Sequence, residues 1–198
     1  TGKIVDDKPT SANFLSRSRD FFYRERFNVL VMYRASDLNT MDYSYRLSSQ
    51  HIKEIEELVN YAKKQFNKPV WLVGTSRGTV SGTAAAIALG KDLVDGLVLT
   101  SSVTSKKIGS ISSQKVDAIM SPVLVVHHAN DGCKICAPWE ASQIKNLLKS
   151  SPHKKYVELT GGHSPEGDPC EAKHWHGFIN YESETVKLIS DWIKNPSN

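Results

Sequence analysis

The chain has 198 residues, 39% of them hydrophobic and 23% charged, with a net charge of +4 when the histidines are neutral. That length suits one domain, 1–198, with a sizeable core, and the composition is that of an ordinary globular protein. The small basic surplus is scattered among acidic residues, which argues against a nucleic-acid partner, and no apolar run is long enough to span a bilayer. Thr1 is not an initiator methionine, so a segment upstream is expected to have been removed or left out.

Strand-like and helix-like patterns alternate along the chain, which predicts an α/β fold: a mostly parallel sheet with helices on both faces. A helix is expected over 13–24, a strand over 28–33 and a polar loop over 34–47. Ser48 or Ser49 can cap the next helix, whose inner face carries Ile52, Ile55, Leu58, Val59, Ala62 and Phe66. Lys53, Glu54, Glu56 and Glu57 form its solvated face. Val70, Trp71, Leu72 and Val73 make a short apolar run, a buried strand by pattern, with Pro69 placed ahead of it where it cannot interrupt the ladder. A helix rich in small residues follows over 79–89, and Gly90 fits its stop. Strands are expected over 96–100, 122–127 and 156–159. Ile144, Leu147 and Leu148 mark a helix between the last two, and Val186, Ile189, Trp192 and Ile193 give the closing helix its apolar stripe. The segment 101–121 is rich in Ser and Lys and too short for a lid domain.

Between the 70–73 strand and the next helix stands Gly74-Thr75-Ser76-Arg77-Gly78. A G-x-S-x-G match alone is weak, but strand, sharp turn and helix is the context of a nucleophile elbow. The strained turn favours glycine on both sides of the serine, lifts its hydroxyl clear of the sheet and aims the following backbone N–H at the reacting centre. A serine nucleophile needs a base, and the base an orienting acid. Asp131, in Ala129-Asn130-Asp131-Gly132, follows the C-terminal end of a strand, where open parallel sheets gather functional groups. The plain alternative is a turn aspartate before glycine. Two histidines compete for the base: His163, just past the last strand, and His176, in His176-Gly177-Phe178. His176 is preferred, because a small residue and an aromatic after it can hold it close to the sheet edge. His127 and His128 end a strand, and at least one of them is expected to be structural.

From first helix to last the chain resembles the alpha/beta-hydrolase superfamily, and looks most like its small, lid-less esterases similar to dienelactone hydrolases. Gly74 to Gly78, Asn130-Asp131-Gly132 and His176-Gly177-Phe178 carry the likeness. It implies acyl-enzyme hydrolysis by a triad of Ser76, Asp131 and His176, with the backbone N–H of Arg77 as one oxyanion donor. It also implies a further strand, between the 28–33 strand and the elbow strand, whose loop supplies the second donor. Thr1 to Thr10 offers only Ile4-Val5 as apolar material, so that strand is expected to come from upstream, with Gly2 and its neighbours as the alternative tail of the loop.

Cys133 lies two residues after the proposed acid and Cys170 six before the proposed base. If the triad forms, the two loops meet, and a Cys133–Cys170 disulfide would staple them; such a bond favours a periplasmic or secreted setting. A redox or metal pair at Cys133 and Cys136, or three reduced thiols, are the alternatives, the metal pair lacking four ligands of suitable spacing. The sequence thus points to a serine hydrolase acting on small esters or thioesters, with no metal and no cofactor expected. Its rivals are an amidase or peptidase with the same triad and a hydrolase-like binding protein without turnover.

Overall fold

The structure is a computed structural model that describes residues 12–36, 38–105 and 109–197. The expectations placed on Thr1 to Thr10, including the loop tail at Gly2, lie outside the described residues. Helix α1 (Phe14–Arg24) opens on Asn13, whose side chain accepts from the Leu15 N–H. Inside the stretch expected as a polar loop, a short helix α2 (Tyr43–Arg46) forms, because Asp42 caps it by accepting from the Tyr45 N–H. Of the two candidate caps for α3 (Ser49–Phe66), it is Ser48 that accepts, from the His51 N–H; Asn67 ends the helix in the left-handed region. There follow β1 (Trp71–Thr75), α4 (Arg77–Leu93), β2 (Gly96–Thr100), β3 (Val123–His128), α5 (Pro138–Leu147), β4 (Lys154–Leu159) and α6 (Glu182–Lys194). Gly90 breaks the regular part of α4 at a φ of 67°, and one further turn carries the chain to Leu93. Among its described residues, segment 101–121 holds two 3-10 turns, Ile111–Ser113 and Val116–Ala118.

The four strands form one all-parallel sheet in the order β1-β2-β3-β4. Side chains along a strand alternate between its faces, and two cores result. Leu97, Leu99, Val123 and Val125 pack with Ile119, Ile144, Leu148 and Ala86 on one face. Val98, Leu124 and Val126 pack with Phe14, Phe22, Phe178, Val186, Ile189 and Trp192 on the other. β2 and β3 are buried along their whole length, as a sheet covered on both faces requires. Leu147, expected inside, is partly exposed, while Ile144 and Leu148 are buried.

The front differs from the expected arrangement. Residues 28–33 form no regular element and join no ladder, and Val29, Leu30, Met32 and Tyr33 are 38% to 42% exposed, too much for a strand inside a sheet. Among the described residues β1 pairs with β2 alone, so its other edge carries no strand, and 28–33 has no partner to pair with. A strand pattern forms a strand only when a neighbour supplies the other half of each hydrogen bond.

Candidate active site

The turn after β1 places Ser76. Its backbone adopts φ 50° and ψ −126°, a region costly for a residue with a Cβ. The surroundings hold it there: the Ser76 N–H donates to the Thr100 carbonyl at 3.0 Å, and the Ser76 carbonyl accepts from the Thr79 N–H at 2.9 Å and the Thr79 hydroxyl at 2.6 Å. Gly74 is required by contact, since a Cβ there would stand 2.6 Å from the Gly78 carbonyl oxygen. Gly78 is not: a Cβ at that position meets nothing within 4 Å, so the expectation of glycine on both sides holds only for the first. Ser76 occupies the N-cap position of α4, yet its side chain makes no capping bond. Arg77 is the first helical residue, and first-turn N–H groups have no partner within their helix.

Asp131 lies in the turn beyond β3, with its side chain inaccessible to solvent. Its Oδ1 accepts from the Cys133 N–H at 3.0 Å, and its Oδ2 is 2.9 Å from His176 Nδ1 and 3.1 Å from His127 Nε2. Burial pushes the carboxyl pKa up, but the two imidazole donors and the Cys133 amide outweigh it and bring it down to about 2. His127 is thus a second partner of the acid. Its place at the end of β3, four residues before Asp131, could have suggested it. His128 turns the other way, 2.7 Å from the Gly161 carbonyl and stacked on Trp175.

His176 sits in a 3-10 turn, Trp175–Gly177, and is buried. Ser101 Oγ donates to its carbonyl at 2.7 Å, and Arg17 on α1 donates to the Gly177 carbonyl while pairing with Glu182 on α6. A Cβ on Gly177 would stand 1.9 Å from the Ala172 carbonyl oxygen, so only glycine fits. Phe178 fills the core against Phe14, ring centroids 4.8 Å apart. The Gly-Phe pair after His176 therefore does hold the ring at the sheet edge. Arg17, which ties that turn to α1 and α6, had no signal in the sequence. His176 Nε2 is buried and makes no hydrogen bond, so none joins it to Ser76 Oγ. His163, the alternative base, is exposed in a loop and bonds with Ser164 and Asn180, while the acid's hydrogen bonds go to His127, Cys133 and His176.

Cys133 and Cys170 form a disulfide, and Cys136 is a buried free thiol. Burial and the Asp131 charge push the Cys136 pKa up to about 12, against the pull of a Ser76 hydrogen bond and the Arg77 charge, which puts this thiol beside the candidate nucleophile. A groove of about 760 Å³ lies elsewhere, lined by Phe21, Val157, Val186 and Trp192; no triad candidate touches it. No helix among the described residues is long and apolar enough to cross a membrane.

No protein-family model and no curated protein matches the chain. Solved structures do. A protein of unknown function from Agrobacterium tumefaciens, thought to be an alpha/beta hydrolase, superimposes with a TM-score of 0.60 at 13% identity, over 93% of this chain and 78% of its own. A serine hydrolase homologue from Coxiella burnetii gives 0.57 at 15%, over 92% and 77%. NosK from Streptomyces actuosus gives 0.56 at 12%, over 90% of each chain. With an all-parallel sheet, helices on both faces and a sharp turn at Ser76, within Gly-Thr-Ser-Arg-Gly, that leads from β1 into α4, the chain has the alpha/beta-hydrolase fold.

Proposed function

We propose that the protein is a serine hydrolase that cleaves carboxylic esters or thioesters through an acyl-enzyme. Ser76 Oγ attacks the acyl carbon, and His176 Nε2 takes its proton and later returns it to the leaving group. Asp131, ionised at any pH well above 2, holds the imidazole with Nδ1–H toward Oδ2 and so leaves Nε2 as the acceptor. The Arg77 N–H faces the developing oxyanion. The observation that carries this reading is the 2.9 Å His176–Asp131 contact, with the other ring nitrogen buried and uncommitted at the same sheet edge as a strained serine. A binding protein without turnover is the second reading, favoured by the absence of a Ser76–His176 hydrogen bond. A fluorophosphonate probe and an ester panel test both. The hydrolase becomes labelled at Ser76 and turns over esters, and Ser76→Ala loses more than the roughly 10²–10³-fold that one oxyanion donor supplies. Absence of labelling in the folded wild-type chain would overturn the proposal. Matched ester and amide substrates separate an esterase from an amidase.

A further inference from the structure

The Cys133-Lys134-Ile135-Cys136 turn is not used by the proposed chemistry, yet it sits inside the site. Cys133 Sγ, Cys136 Sγ and a ring nitrogen of His176 all lie within 4.8 Å of one another, and all three residues are buried. The turn is fixed by the Cys136 N–H donating to the Cys133 carbonyl at 2.9 Å and by the Cys133 N–H on Asp131 Oδ1 at 3.0 Å. His176 Nδ1 is committed to Asp131, so Nε2 is the nitrogen left for a ligand, and it is buried with no partner. A carboxylate behind an imidazole is the arrangement that orients a metal-binding histidine. Two thiolates at C-x-x-C spacing with one imidazole is a donor set that suits zinc. With bonds of about 2.3 Å to sulfur and 2.0–2.1 Å to nitrogen, a tetrahedral ion needs its ligand atoms roughly 3.5–3.8 Å apart, so the two sulfurs, at most 4.8 Å apart, need to close by no more than about 1 Å. One obstacle stands in the way: Cys133 is bonded to Cys170.

We propose that reduction of the Cys133–Cys170 bond opens a zinc site made of Cys133 Sγ, Cys136 Sγ and His176 Nε2. A dithiol reductant supplies two electrons and two protons, breaks the S–S bond and ends as its own disulfide, leaving thiols at Cys133 and at the exposed Cys170. Zinc then displaces one proton from each of Cys133 and Cys136 and takes the free pair on Nε2. If, as the proposed function has it, that nitrogen is the catalytic base, the metal halts turnover. The oxidised chain is then insensitive to zinc and the reduced chain is inhibited by it.

Cobalt(II) reports the site without any activity measurement, through the thiolate-to-metal absorption band. The band should be absent from the oxidised chain, and should appear at one ion per chain in the reduced chain and in Cys170→Ser without reductant. It should persist in Ser76→Ala. Cys136→Ser should remove it and weaken competing zinc by more than about 100-fold, since partners one shell further out are already worth roughly 10–100-fold. A chain that unfolds when the cross-link is lost should refold on adding cobalt, band and native circular dichroism returning together. A band of equal strength in the oxidised chain, a band that survives Cys136→Ser, or a reduced chain that shows none whether folded or refolded with cobalt, overturns the proposal. Failure of the hydrolase reading looks different: no ester turnover in either redox state, with the cobalt band still present.

Discussion

Removing the Cys133–Cys170 bond through Cys170→Ser isolates the cross-link, because Cys170 is exposed and its side chain leaves no hole in the core. The bond closes a loop of sequence separation 37. The chain-entropy relation assigns a loop of that length about 3.8 kcal/mol at 25 °C, all of it arising from restriction of the unfolded chain. For a chain of 198 residues unfolding with about 2.1 cal/mol/K per residue, this lowers Tm by on the order of 9 °C. Cys133→Ser should cost more than Cys170→Ser, since Cys133 is only 2% exposed, packed with Val80, Val103 and Cys136, and the change buries a hydroxyl among them. Urea unfolding of the wild type, oxidised and reduced, and of the two variants measures each quantity, and a non-reducing peptide map identifies the linked pair. A Cys170→Ser chain within about 1 kcal/mol of the oxidised wild type would refute the entropic reasoning. A Cys133–Cys136 link in the map would refute the pairing itself.

Three other outcomes follow from the site. Asp131 has its carboxyl pKa lowered from 3.8 to about 2, so its contribution, about 2 kcal/mol, is present above pH ~4 and lost as pH falls through ~2; acid titration of stability in Asp131→Asn should be flatter over that interval than in the wild type. His176→Ala should be as damaging to ester turnover as Ser76→Ala, and His163→Ala close to neutral, because His163 is exposed and makes no contact with the acid; equal losses in the two histidine variants would count against the assignment. Gly177→Ala should unfold at lower denaturant than Gly78→Ala, since the first Cβ meets the Ala172 carbonyl at 1.9 Å and the second meets nothing; the reverse order would contradict the packing described for the His176 turn.

Local patterns were legible wherever one residue's chemistry decides the backbone around it. The helix expected over 13–24 matches α1 within one residue, Ser48, one of two candidates, caps α3, Gly90 breaks α4, and the apolar runs at 96–100 and 122–127 match β2 and β3 within one residue. Ser76 was readable because a strained turn between a strand and a helix imposes small residues, although only Gly74 proves to be needed. Helix α2 was missed because its four residues carry no periodicity, and only the Asp42 cap announces it.

Longer-range relations were not legible in the same way. The 28–33 segment has a strand's pattern and forms no strand, because a ladder is a property of two chains side by side and the second is absent among the described residues. His127 and His176 share one oxygen of Asp131 although 49 positions separate them; each had a hint of its own in the sequence, but packing alone brings both rings to a single atom. Apart from α2 and the 28–33 segment, the sequence by itself determined the elements, their alternation and the residues with reactive groups, since these follow from side-chain size, polarity and spacing along one strand or helix. The sequence also favoured His176 over His163 and Cys170 over Cys136 while leaving rivals to both; only the tertiary structure put His127 on the acid and Arg17 on the His176 turn, because each depends on where parallel strands end and how the loops leaving them pack.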